Sequence, residues 1–171
     1  MKRRTRTLAF LAAAAAALGA LVLAELRRER GLAPEPLTAI DPTAVRSLVV
    51  ACNTCTTRRF EKEDGRWQMR APRTGAADAA VVDRLAAIAR APVRLRHAAG
   101  ELDPARVGLD PPQATLQLDG TLLKFGTTDA INGDRYVEAG GSIALVPDRF
   151  SALLFAAPEN GLAAPPAAPK E

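Results

Sequence analysis

ATLQLDGTLLKFGTTDAINGDRYVEAGGSIALV, residues 114–146, carries the reading of the fold. Four strand-like runs follow one another at 114–118, 122–125, 135–138 and 142–146. Asp119-Gly120, Asn132-Gly133 and Gly140-Gly141 separate them, and each pair tolerates the positive φ of tight turns. Such short connections make antiparallel neighbours, so this half of the chain is predicted to be a four-strand meander. Phe125 and Tyr136 are its expected core anchors, with the Tyr136 hydroxyl at the edge.

Working back from the meander, Asp110-Pro111-Pro112 forces extended backbone. Asp103-Pro104-Ala105-Arg106-Val107-Gly108 reads as one helical turn, with an Asp N-cap, Pro at the first position and Gly at the stop. Residues 77–91 are the clear helix. Val81, Leu85 and Ile88 recur at i, i+4 and i+7, and Val82 and Ala89 widen the stripe. Asp78 and Arg90 suit the two ends of its dipole. In residues 93–97, Val93 and Leu95 alternate with Arg94 and Arg96, which predicts a half-buried strand with the apolar pair inward. Residues 44–51 read as the first strand. Runs 58–63 and 66–70 flank Asp64-Gly65, a hairpin signal that makes Phe60 and Trp67 core residues. Leu85 is the anchor expected from the helix. Residues 148–155 read as a short closing helix, and 156–171, rich in Pro and Ala, as a disordered tail. The expected fold class is α+β, mainly antiparallel: hairpin, amphipathic helix, meander.

The chain has 171 residues and a net charge of +4, and the location of that charge decides what it means. Residues 1–30 hold seven basic and two acidic residues, whereas the remaining 16 basic and 17 acidic residues balance at −1. The domain therefore has no footprint for a phosphate backbone, and nucleic acid is excluded as a partner. From Leu8 to Ala24 no residue is charged. That run is long enough for a short membrane span, and four basic residues before it hold the N-terminus in the cytoplasm. Residues 1–30 are thus predicted to be a signal-anchor in the inner membrane, 31–43 a linker, and 44–155 a periplasmic domain. The alternative is cleavage after Ala24, with Val22 and Ala24 at the positions a signal peptidase prefers, and release into the periplasm.

Cys52-Asn53-Thr54-Cys55 is the one chemically suggestive motif. In an exported domain it reads as a structural disulfide. The alternatives are free thiols or a redox pair, and the helix N-terminus that activates a redox pair does not follow it. Haem attachment needs His where Thr56 stands, and zinc needs more ligands than His97 supplies. His97 has no nucleophile or orienting carboxylate near it in sequence. Arg94 and Arg96 read as a solvated strand face. Asp129, Asn132 and Asp134 lack the spacing to a bidentate Glu that a calcium loop needs. No catalytic, cofactor-binding or metal-binding residue is expected.

The hairpin with a single Trp before a Pro (Trp67, Pro72), the amphipathic helix, Gly100-Glu101-Leu102, Val107-Gly108-Leu109-Asp110-Pro111-Pro112, Phe125-Gly126 and Arg135-Tyr136-Val137 occur in an order that resembles the DUF4340 family of bacterial envelope proteins. The resemblance spans roughly residues 45–155. It implies an N-terminal membrane helix followed by a domain of this kind, encoded in some members beside ABC-type transporters, and brings no catalytic residue. The expected function is a non-catalytic, membrane-tethered periplasmic accessory domain that binds another envelope protein. The alternative is a thiol-disulfide redox protein using Cys52 and Cys55.

Overall fold

The computed structural model describes residues 15, 17–24 and 34–163. Residues 17–24 are helical, with Leu18, Leu21, Val22 and Leu23 exposed. Residues 8–14 and 16 of the expected membrane segment lie outside the described residues. Among the described residues no helix is long and apolar enough to cross a membrane.

From Glu35 onward the fold is α+β, built on one large antiparallel sheet with few helices. Its strands are β1 (Ser47–Cys52), β2 (Cys55–Glu63), β3 (Arg66–Ala71), β4 (Gly75–Ala76), β5 (Leu95–His97), β6 (Ala114–Leu118), β7 (Thr121–Thr128), β8 (Asp134–Ala139) and β9 (Ser142–Pro147). Helix α1 is Ala79–Ala87 and α2 is Ser151–Leu154. The strand order is β4-β3-β2-β1-β6-β7-β8-β9-β5. Each two-residue turn does what its chemistry allows: Asp64 and Gly65 both take positive φ between β2 and β3, as do Gly140 and Gly141 between β8 and β9. The hairpin half and the meander half join where β1 pairs with β6, from Leu48 opposite Leu118 to Cys52 opposite Ala114.

One face of the sheet carries the core. Leu48, Val50, Phe60, Trp67, Met69, Leu116, Leu123, Phe125 and Val137 form a continuous buried cluster with Val82, Leu85 and Ala86 of α1. Fully burying a side chain of this size contributes about 1.5–3 kcal/mol. Asp78 caps α1, its Oδ1 accepting from the backbone N–H groups of Ala80 and Val81 at 2.9 and 3.3 Å. A 3-10 turn, Ile88–Arg90, adds Ile88 and Ala89 to the buried stripe.

Three expectations need correction. Tyr136 is not in the main core: it is half-buried on the opposite face, against the small cluster of Val107, Leu109 and Ile143. Strand parity sets this, because Val137 faces the core and its i−2 neighbour Arg135 goes with it. At Leu95 and Arg96 the expected alternation is likewise inverted, whereas Val93, ahead of the strand, packs against the core as expected. Directly opposed residues share a face, and Arg96 lies opposite Ala144, which lies opposite the buried Val137. Leu95 is therefore left 50% exposed, while the Arg96 guanidinium reaches under the sheet edge to the carbonyls of Pro36 and Leu37. The folded region is also wider than 44–155. Leu37 is buried and donates to Ala91 O at 2.9 Å, so residues 35–40 are wall rather than linker. At the other end Pro158–Gly161 is a 3-10 turn whose Gly161 is buried beside Phe60 and Met69.

Candidate functional site

β1 ends at Cys52 and β2 begins at Cys55, so the two face each other across the Asn53-Thr54 turn with Cα atoms 5.3 Å apart and sulfurs at disulfide-bonding distance. This Cα separation is the usual one for a disulfide. Both cysteines are half-buried, and Cys52 packs against the main core. Cys52 lines an open groove of about 270 Å³ with Asn53, Pro111, Pro112 and Thr115. Cys55 faces α2, its Sγ 3.9 Å from the carbonyl oxygen of Leu154.

Behind Cys55 lies Arg58, the largest fully buried side chain. Its Nη2 donates to the carbonyls of Leu153 and Leu154 at 2.7 and 2.8 Å, neutralising the C-terminal end of α2. Its Nε and Nη1 have no hydrogen-bond partner among the described residues. Removal from water holds the Arg58 pKa below the ordinary arginine value. Arg58 and Cys55 thus meet at the same carbonyl oxygen.

A second buried arginine stabilises the other side of α2. Arg135 donates through Nε to Asp148 Oδ2 at 2.9 Å and through Nη1 to Gln113 Oε1 at 3.1 Å and to the Gly126 carbonyl. Asp148 in turn accepts from the Ser151 backbone N–H and hydroxyl, at 3.2 and 2.7 Å, which fixes the start of α2. Here the buried cation has its anion, whereas Arg58 has none among the described residues.

No known protein family, curated protein or solved structure matches this chain. Between α1 and α2 runs an open apolar groove of about 320 Å³. Ile88 and Phe150 floor it, and Ala87, Ala91, Pro92, Pro147 and Leu153 form its walls. Arg84 and Arg149 stand on its rim, with no carboxylate among the lining residues. Neither arginine makes an ion pair among the described residues, unlike Arg70, Arg94, Arg96, Arg135 and Lys124.

The remaining sequence candidates are dispersed. His97 Nδ1 lies 3.7 Å from Glu101 Oε2, beyond hydrogen-bond reach, and that carboxylate accepts from the Ala98 N–H at 2.9 Å. Arg94 pairs with the buried Asp134, and Arg96 with Glu35, at 3.2 and 3.0 Å. Asp129 closes the Asn132 turn by accepting its N–H at 2.8 Å. Among the described residues no group of three His, Cys, Asp or Glu side chains could hold a metal. Trp67, Leu85 and Phe125 sit together in the main core, away from both grooves' rims. Arg58 was missed in the sequence: it shares the parity of Phe60 and so its face, but a charge at that position does not announce burial.

Proposed function

We propose that this chain is a non-catalytic accessory domain, tethered to the inner membrane through residues 8–24 and held in the periplasm. It docks on another envelope protein, such as a component of an ABC-type transporter. The groove between α1 and α2 carries this reading. It combines an apolar floor with two arginines that have no partner among the described residues, a combination suited to an apolar segment bearing carboxylates. Export is supported by the uncharged run from Leu8 to Ala24 and by the exposed leucines of its described part. The resemblance of the motif order to the DUF4340 family points the same way.

A photo-crosslinking side chain placed at Ala87 in the full chain, in intact cells, tests it. The expected result is one crosslinked envelope protein, lost when Arg84→Glu and Arg149→Glu are combined, and not captured from Gln117 on the opposite face. Equal capture from Ala87 and Gln117, or capture indifferent to the charge reversal, contradicts the reading.

A second reading, thiol-disulfide exchange at Cys52 and Cys55, is favoured by one observation: the unneutralised Arg58 guanidinium that shares the Leu154 carbonyl with Cys55.

A further inference from the structure

We propose that the occupant of the groove between α1 and α2 is an amphipathic helix of a partner protein, its apolar face flanked by an acidic side chain on each edge. This rests on the docking reading above and adds the form and charge pattern of what docks. Arg84, Ala87, Ile88 and Ala91 all line the groove, and they recur at i, i+3, i+4 and i+7 along α1 and the 3-10 turn that prolongs it. Ala87 is exposed and Ala91 half-buried, and side chains this small let a second helix approach closely. Phe150 and the half-buried Leu153 supply the apolar side of α2.

Backbone hydrogen bonding argues for a helix over an extended segment. Pro92 and Pro147, on the two walls, carry no N–H. The Ala91 N–H donates to the Ile88 carbonyl at 3.0 Å, and the Ala91 carbonyl accepts from the Leu37 N–H at 2.9 Å. The Phe150 carbonyl accepts from the N–H groups of Leu153 and Leu154. A strand laid here would find little backbone to pair with, whereas a helix satisfies its own. Charge fixes the edges. Asp78, Asp83 and Asp148 are the carboxylates of residues 78–92 and 147–155, and each is already engaged. Asp78 accepts from the Ala80 and Val81 N–H groups, Asp83 from Trp67 Nε1 at 3.0 Å, and Asp148 from Arg135 and Ser151. Arg84 on one wall and Arg149 on the other are left to acids brought by the partner. An open trough gives an acyl chain little enclosure, which favours a protein segment over a lipid.

The test carries the Ala87 photo-crosslink in the full chain, in intact cells, through to digestion and mass-spectrometric mapping of the attached segment. The expected segment has apolar residues at helical spacing with acidic residues on both edges. Replacing those acids by Lys in the partner is expected to lower the crosslink yield about tenfold, and combining that partner with Arg84→Glu and Arg149→Glu to restore most of it. A mapped segment that is basic, uncharged or without helical periodicity overturns the helix occupant and leaves docking in place. So does a yield that the reversed arginines fail to restore. A lipid adduct, or no capture from Ala87, overturns the docking reading and this occupant with it. Both arginines are exposed, and the mapping itself uses them unaltered, so a folding defect in the reversed pair leaves the mapped sequence to decide.

Discussion

Three interactions converge on the Trp67 ring: burial to 4% exposure, a hydrogen bond from Nε1 to Asp83 Oδ1 at 3.0 Å, and the Lys62 ammonium 5.4 Å from the ring centre. The last contributes about 0.5–1 kcal/mol near solvent, so burial dominates. Trp67→Ala should therefore cost about 3–5 kcal/mol in urea unfolding. A loss below about 1 kcal/mol, the usual size of a surface effect, would mean the ring is not an anchor. Trp67, Leu85 and Phe125 could be identified from sequence because large apolar side chains have one favourable place to go. Arg58 and Arg135 could not, because charge normally excludes a residue from a core. Their burial depends on carbonyls at the end of α2 and on Asp148, partners 95 and 13 residues away.

Turns and the helix were the most legible elements. Asp119, Gly133 and Gly140 take the positive φ that their dipeptides advertise, and Asp78 and Asp103 cap the helical turns they precede. Leu95 and Arg96 differ from expectation because the strand begins only at Leu95, after Val93 has already packed on the core, and pairing with β9 selects the face from there. The same dependence on distant chain explains Gly126. A Cβ there would run into the Val107 carbonyl, which also accepts from the Thr127 hydroxyl at 3.0 Å. The turn Pro104–Val107 thus lies directly on β7. Gly126→Ala should cost about 1–3 kcal/mol in urea unfolding and loosen the Leu109 N–H to hydrogen exchange. Gly120→Ala, with open space around it, should change stability by less than about 0.5 kcal/mol. Equal costs at the two sites would remove the close approach from the explanation.

At the scale of the molecule, the sheet joins two halves that local signals describe separately. The β1–β6 pairing spans about sixty residues of intervening chain, and nothing in either strand's sequence names the other. The finished sheet ends on two short strands, β4 and β5, of two and three residues. Short edges offer little backbone for unwanted strand addition, and the docking proposed above uses the helix side, where the groove opens. Compartment is a property of the whole chain as well. The basic residues lie before and after an uncharged run, and the domain beyond is close to neutral. Disulfide, tether and envelope partner all require that this domain leave the cytoplasm. The most direct measurement fuses, after Ala163, a reporter enzyme that is active only once exported, with a fluorescent protein that matures only in the cytosol as the matched fusion. Activity of the exported reporter together with a dark fluorescent fusion is the expected result. A bright fluorescent fusion with a silent exported reporter would contradict it.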